Sequence, residues 1–258
     1  MKSKIATAIK LKTSPVAILF SDQRPDEAIQ FKPGRWGCVI AMLAAAARGR
    51  TVVFDRHTYG CIGGGSGLGF GNTYVDFPGG IEYFLSTGNK TFCESEIGKK
   101  VIENMPRLVH GEKYKKTPEH ARSFTDALPY YDVPAEFVVF KPIARLLPED
   151  KAEVIVFLAN PDQISGLTVL ANYARHGGDN VFVPWGAGCH TIGIIPFNEG
   201  KSANPRAVIG LMDVSARKHI DKDILSFSVS YGMFMEMEDN VDESFLKTDQ
   251  WEILMERN

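Results

Sequence analysis

The chain has 258 residues, of which 44% are hydrophobic and 23% are charged, and its formal net charge is -2. This composition allows a sizeable buried core, and the near-neutral charge gives no strong field that would attract nucleic acid or an anionic membrane. The longest apolar run, Val39 to Ala47, is far shorter than the ~20 residues that a membrane span needs. No signal-peptide core follows the basic N-terminus, so we expect a cytoplasmic protein.

The first half of the chain is predicted to form short elements separated by loops that contain proline and glycine. Trp36–Arg48 is rich in alanine and apolar on nearly every face, which indicates a buried helix closed by Gly49. Cys38 would lie in its first turn, where unsatisfied N–H groups and the helix dipole stabilise a thiolate. The other expected elements are a weak helix over 3–10, strands at Val16–Phe20 and Thr51–Phe54, a glycine-rich segment over 60–71, and helices at Ile81–Leu85, Glu94–Asn104 and Glu119–Leu128.

Strands and helices alternate more regularly in the second half. Asn160 followed by Pro161 is a typical helix start, and this helix is expected to run to about Arg175. Asp213 and Arg217 are interpreted as a helix cap and a structural ion pair. Strands are expected at Glu136–Lys141, Glu153–Leu158, Asn180–Val183 and 205–212, with a β-rich segment whose end could be helical at Ile224–Met235 and a final helix at Phe245–Met255.

This alternation of strands and helices predicts an α/β or α+β fold, with a mixed sheet flanked by helices. Linker signals are weak, so we expect a single domain over residues 1–258. The two halves also share a faint pattern, in which a strand is followed by an Asp-Gln pair near proline, by Trp-Gly and by a cysteine. The pattern suggests a decayed internal duplication.

Four cysteines, Cys38, Cys61, Cys93 and Cys189, are the strongest chemical signal in the chain. They are spaced by 23, 32 and 96 residues and contain no Cys-x-x-Cys pair, which excludes zinc-finger and ferredoxin signatures. All except Cys93 follow a glycine. In a reducing cytosol such thiols are more typical of a metal or catalytic site than of disulfides. We therefore predict an iron–sulfur cluster, [4Fe–4S], held by the four dispersed cysteines, with zinc as the alternative metal.

The glycine-rich segment over 60–71 invites a nucleotide-binding interpretation that its register does not support. Neither G-x-G-x-x-G nor the P-loop pattern is present. Gly63, Gly64 and Gly65 are instead predicted to form a turn that lies close against a cluster or ligand. An anion held by a nest of backbone N–H groups and a plain flexible loop are the alternatives.

Charged and imidazole groups lie next to two of the cysteines in the sequence. Arg56 and His57 precede Cys61, where they could hold a carboxylate or donate a hydrogen bond to a cluster sulfur. A polar turn is the simpler interpretation of both. His190 follows Cys189 in the glycine-rich turn after the predicted strand Asn180–Val183, and open α/β sheets bind ligands beyond such strand ends, although a structural histidine is the alternative. If Cys93 is not a ligand, either histidine could complete the site, or one iron could stay open for substrate.

Two further functions remain open at this point. A metal-free thiol enzyme would use Cys61 or Cys189 as nucleophile and His57 or His190 as base, and it would need a lowered thiol pKa. A small-anion-binding module would use the glycine-rich nest and Arg56. For the iron–sulfur protein, a small-molecule ligand or a redox partner is expected. The apolar C-terminal segment could support a homodimer.

Short motifs along the chain resemble one prokaryotic family. They are Ser14-Pro15-Val16-Ala17, Gly37-Cys38, Cys61-x-Gly-Gly with Leu68-Gly69-Phe70, the Pro-Asp-Gln helix start at Pro161, Gly188-Cys189 and Asp213-x-x-Ala-Arg. In this order they resemble the archaeal and bacterial family called domain of unknown function 169, over nearly the whole chain. That family has no established activity. Its occurrence largely in anaerobes implies compatibility with oxygen-sensitive iron–sulfur chemistry, and the resemblance implies cluster ligands at Cys38, Cys61 and Cys189.

Overall fold

The computed structural model describes residues 1–256, which form two compact units. The first unit contains residues 1–70 and the chain from residue 131 onward. The second unit is Gly71–Tyr130. Each unit is built around its own contacts and is described separately.

A seven-stranded mixed sheet forms the centre of the first unit. In space the strands follow the order β2-β3-β1-β4-β7-β6-β5. Only β5 and β6 pair in parallel, and the other neighbours are antiparallel. The strands are β1 (Val16–Ser21), β2 (Val52–Phe54), β3 (Phe137–Pro142), β4 (Ala152–Ala159), β5 (Val181–Phe182), β6 (Ala207–Gly210) and β7 (Leu225–Ser230). This sheet confirms the predicted α/β class, and the internal duplication stays a prediction.

Helices cover both faces of this sheet. They are α1 (Lys4–Ala8), α2 (Val39–Ala47), α3 (Ile62–Leu68), α8 (Pro161–Asn172), α9 (Gly188–Ile192), α10 (Ile194–Glu199), α11 (Tyr231–Asn240) and α12 (Asp249–Glu256), numbered together with α4 to α7 of the second unit. Alternate side chains of β4 point to opposite faces. Val156 belongs to a core cluster with residues of α2, α3 and α9, whereas Phe157 belongs to a second cluster with residues of α1, α8, α11 and α12. The first unit is therefore a three-layer sandwich.

Local sequence signals explain several helix boundaries. Asn160 and Gln163 form a reciprocal capping box, and Pro161 occupies the first turn of α8, as predicted. In the predicted β-rich segment Ile224–Met235, strand β7 ends at Ser230 and helix α11 begins. Ser230 is the N-cap residue of α11, and its side chain accepts a hydrogen bond from Met233 N–H. The terminal helix starts later than expected, at Asp249, after a short 3-10 turn over Phe245–Lys247.

Two predicted elements differ in ways that matter for the cysteines. The helix expected over Trp36–Arg48 begins only at Val39, so Cys38 is its N-cap residue in extended conformation rather than part of its first turn. The glycine-rich segment, predicted as a turn or loop, contains the helix α3. Glycine is a poor helix former, but tertiary packing overrides this propensity, since Gly64, Gly65 and Gly67 are all buried.

The second unit consists of short helices and turns. Its α-helices are α4 (Ile81–Phe84), α5 (Lys90–Glu94), α6 (Glu96–Asn104) and α7 (Pro118–Asp126). The helix predicted over Glu94–Asn104 is divided at Ser95, whose side chain caps α6. Gly98 packs against the Phe92 carbonyl group, where a Cβ atom would lie 1.8 Å from the oxygen.

Across residues 1–256, no helix is both long enough and apolar enough to cross a lipid bilayer.

Candidate functional site

Two of the glycine–cysteine pairs form corners that contact each other. Cys38 is the N-cap residue of α2 and Cys61 is the N-cap residue of α3, both with extended backbones. A Cβ atom on Gly60 would lie 2.5 Å from the Gly37 carbonyl oxygen, and one on Gly37 would lie 2.2 Å from the Phe31 ring. Gly60 is therefore required for the contact, because its φ of 82° is left-handed and a side chain there would meet the Gly37 backbone. At Gly37 a side chain would displace the Phe31 ring.

The third cysteine reaches the same place from the other half of the chain. Cys189 lies in the first turn of α9, and its thiol donates a hydrogen bond to the Gly63 carbonyl oxygen at 2.9 Å. The N–H group of the same peptide unit, on Gly64, donates to Cys61 Sγ at 3.3 Å. A single peptide group of α3 therefore separates the sulfur atoms of Cys61 and Cys189.

Close packing of α3 against α9 depends on glycine residues, which have no side chain. A Cβ atom on Gly67 would lie 2.7 Å from the carbonyl carbon of Cys189 and 2.9 Å from its Sγ, and one on Gly193 would lie 2.1 Å from the Gly67 carbonyl oxygen. Glycine lets two backbones approach in this way. The glycine-rich segment thus packs against a cysteine-bearing helix, with Gly63 and Gly64 touching the thiols and Gly65 buried behind them.

Asp213 is a member of the site that the sequence interpretation treated only as a cap. Its carboxylate accepts hydrogen bonds from Gly188 N–H at the start of α9 and from the backbone and hydroxyl of Ser215. The parallel strands β5 and β6 end at one edge, which brings these two loops together. The predicted ion pair is wrong: Arg217 donates instead to the carbonyl oxygens of Lys222 and Ile224.

Strain in the backbone marks the same edge of the sheet. Leu211, fully buried directly after β6, has a φ of 65°, in the left-handed region that costs a bulky residue on the order of 1–3 kcal/mol. Its N–H donates to the Thr191 hydroxyl in α9 at 3.3 Å. The surrounding packing holds this conformation and directs the chain toward Asp213.

The three thiols and the Asp213 carboxylate influence one another electrostatically. Burial raises the pKa of Cys61 to about 11, and nearby Cys38 and Asp213 add to the effect. Burial likewise raises the pKa of Cys38, and it raises that of Cys189 well above the ordinary value, with Cys61, Asp213 and Cys38 contributing. Backbone N–H groups at the starts of α2 and α3 offset only part of this shift. All three cysteines are therefore neutral thiols near pH 7.

All four cysteines are free thiols. Within residues 1–256, no three side chains of histidine, cysteine, aspartate or glutamate are grouped tightly enough to hold a metal ion as they stand. Cys93 belongs to the second unit, where it is buried in α5. The structure thus brings together Cys38 at the start of α2, Cys61 at the start of α3 and Cys189 in the first turn of α9.

The charged and imidazole groups predicted beside the cysteines have varied environments. Arg56 donates to Asp132 Oδ1 at 2.7 Å and to the Val133 carbonyl oxygen, and its guanidinium lies 5.6 Å from the centre of the Phe70 ring. His57 is exposed, and its backbone N–H donates a hydrogen bond to the Asp55 carboxylate. His190 is fully buried, and this burial lowers its pKa to about 4, so the imidazole is neutral.

The anion nest considered as an alternative lacks free donors, because the backbone N–H groups of Gly64 and Gly65 already form hydrogen bonds. Gly64 N–H donates to Cys61 Sγ, and Gly65 N–H donates to the Cys61 carbonyl oxygen inside α3. The N–H groups that a phosphate would need are already used to cap the helix. Burial and glycine contacts, rather than any metal signature, are what assemble this site.

Fold and site together define a three-layer α/β protein with three thiols at helix starts, of which Cys189 is buried and Cys38 and Cys61 are half-buried. The chain belongs to the DUF169 family, described as "Uncharacterised ArCR", whose model matches residues 4–240. This match confirms the resemblance seen in the short motifs. A comparison with curated proteins gave no match, and a comparison with solved structures gave none either.

Proposed function

We propose that the protein binds an iron–sulfur cluster, [4Fe–4S], through Cys38, Cys61 and Cys189, and that it acts in the cytoplasm on electrons or on a small molecule. One observation carries this proposal. Cysteines that are far apart in the sequence lie at the starts of three different helices, and two of their sulfur atoms flank one peptide group. Thiolates are the usual protein ligands of such clusters.

The electrostatics of the site favour a metal over free thiolates. Buried thiols with raised pKa values stay protonated, so three negative charges would not form there without compensation. A bound metal removes these protons, because metal binding is coupled to ligand deprotonation.

This chain's own groups would tune a bound cluster. Gly64 N–H already points at Cys61 Sγ, and N–H donors to sulfur raise the reduction potential of a cluster. The Asp213 carboxylate nearby would act in the opposite direction because its negative charge disfavours reduction. The cluster itself would supply electron transfer or an iron that a small molecule can reach.

The fourth coordination position is part of the proposal. Three cysteines of the first unit leave one iron without a cysteine ligand, which suits binding of a small molecule. Cys93, predicted as the fourth ligand, lies in the second unit and remains a candidate. A zinc site built on the same thiols would also need a fourth ligand, and elemental analysis separates the two metals.

The metal-free thiol enzyme is the weaker alternative. It needs a cysteine with a lowered pKa, whereas burial raises the pKa of Cys61 and Cys189. The buried His190, which titrates at about 4, is a poor base for such a thiol near neutral pH.

Anaerobic purification from iron-replete cells tests the proposal. We expect a coloured protein with about four iron and four sulfide atoms per chain. Cys61→Ala should lose most of this iron, whereas Val39→Ala, which shortens a buried side chain beside Cys38, should keep it if it folds. Iron-free wild-type protein, or equal iron in Cys61→Ala and wild type, would contradict the proposal.

A further inference from the structure

A surface cleft lies directly outside the two glycine–cysteine corners. It has a volume of about 540 Å³, in the range of sites for small ligands. The lining residues are Pro33, Gly34, Arg35, Trp36, Arg56, His57, Tyr59 and Gly60. Trp36 and Gly60 come just before Gly37-Cys38 and Cys61 in the sequence, so the two segments that form the cleft continue into two of the three thiols.

Two guanidinium groups, those of Arg35 and Arg56, line this cleft, and none of its lining residues carries a carboxylate. Arg56 is fixed by Asp132 and by the Val133 carbonyl oxygen. Within the described part of the chain, the Arg35 guanidinium and the His57 ring make no hydrogen bond or ion pair, so both are available to a ligand.

Two aromatic side chains, Trp36 and Tyr59, also line the cleft. The Trp36 side chain is 71% exposed, which is unusual for so large an apolar group. Tyr59 is held by the Phe70 ring, with the two ring centres 6.1 Å apart. A planar ring stacked on Trp36 would remove the indole from water, and the aromatic stacking would add to the free energy gained from this burial.

We propose that this cleft binds a planar aromatic carboxylate, with the carboxylate on the Arg35 guanidinium and the ring on Trp36. The Arg35 fork matches a carboxylate in two parallel hydrogen bonds. The Arg35 fork also matches a phosphate, but inorganic phosphate offers no ring to Trp36, and the backbone N–H groups at the start of α3 that could complete a phosphate site are used by Cys61. The role of the ligand as a substrate presented to the thiol site depends on the proposed function, but its binding does not.

Isothermal titration calorimetry on the anaerobically purified full chain tests this proposal, with 2-naphthoate as the probe. We expect binding of 2-naphthoate and at least tenfold weaker binding of 2-naphthylmethanol, acetate and inorganic phosphate. Arg35→Gln and Trp36→Ala should each weaken 2-naphthoate binding by roughly tenfold, since each removes one half of the recognition. Lys32→Gln, which removes a positive charge from the same exposed loop outside the cleft, should change the affinity by less than twofold.

Three results would overturn the proposal: no binding of 2-naphthoate, equal binding of 2-naphthylmethanol or phosphate, or an Arg35→Gln variant that behaves like Lys32→Gln. Iron content measured on the same samples separates the two ideas. An iron-free protein that binds 2-naphthoate through Arg35 supports the cleft and contradicts the cluster. An iron-loaded protein that does not bind 2-naphthoate supports the cluster and contradicts the cleft.

Discussion

The cysteines of the two units occupy different kinds of position. In the first unit Cys38 and Cys61 are N-cap residues, and Cys189 lies in the first turn of a helix. In the second unit Cys93 lies near the end of α5, one residue before the helix terminates. A helix start offers N–H groups to a sulfur atom, whereas a helix end does not. The comparison distinguishes three cysteines at helix starts from one buried near a helix end.

Loss of iron is the largest effect expected from this difference. Replacing Cys38, Cys61 or Cys189 by alanine should each remove most of the bound iron, because a cluster that is held by three thiolates cannot spare one. Cys93→Ala should keep more iron than any of these three variants. Iron and sulfide analysis of the four proteins measures this, and a loss in Cys93→Ala as complete as in Cys61→Ala would assign Cys93 to the ligand set and break the comparison.

The packing of α3 on α9 gives the next largest effect. Gly67→Ala would push a methyl group onto Cys189, and such overpacking costs about 1–3 kcal/mol in the free energy of unfolding. Urea denaturation of the metal-free protein measures the change.

Gly232→Ala is the matched control, because an added Cβ atom meets nothing within 4 Å there. Gly232 is an exposed helical residue of α11, so alanine should stabilise the protein by about 0.5–1 kcal/mol. Equal effects of the two substitutions would show that α3 and α9 do not pack as described.

Burial of Cys61 predicts a pH dependence for the metal-free protein. The unfolded chain releases the Cys61 proton near pH 9, whereas the folded protein keeps it to about pH 11. The unfolded state therefore binds fewer protons in this window, and the free energy of unfolding falls as the pH rises through it. The contribution is fully present below pH 9.

Cys61→Ala should make this decline shallower by up to about 1.4 kcal/mol per pH unit. Denaturation at several pH values between 9 and 11 gives the slope, and Cys93→Ala provides the comparison from the second unit. Identical slopes for wild type and Cys61→Ala would mean that Cys61 is not buried as a neutral thiol.

Substitution of Asp213 should have the smallest effect. Asp213→Ala leaves Gly188 N–H without its acceptor and should cost about 1 kcal/mol, as for the loss of a helix cap. Asp213→Asn keeps an oxygen acceptor and should lose only a few tenths. Thermal denaturation of the metal-free variants ranks the two, and an asparagine variant as unstable as the alanine variant would show that the negative charge, not the cap, is what matters.

The sequence was most informative where local chemistry decides the structure. The helix start at Asn160-Pro161 and the run of β-forming residues in β4 predicted their elements correctly, because both signals lie within a few residues. The glycine next to three of the cysteines also marked the residues that meet in the first unit.

Tertiary packing decided what the sequence could not. The glycine-rich segment forms a helix that packs against α9, and nothing in its local sequence indicates this contact. Asp213 joins the site because β5 and β6 run in parallel, a pairing of strands that are separated in the sequence. No sequence signal indicated that Arg35 and Trp36 line one cleft with His57 and Tyr59, because only the fold brings these two segments together.

The most direct test of the central claim is a crystal structure of the anaerobically purified protein with anomalous diffraction data collected at the iron absorption edge. We expect one strong iron peak within bonding distance of the sulfur atoms of Cys38, Cys61 and Cys189. An iron-containing protein whose peak lies elsewhere, or a map without any iron peak, would contradict the account.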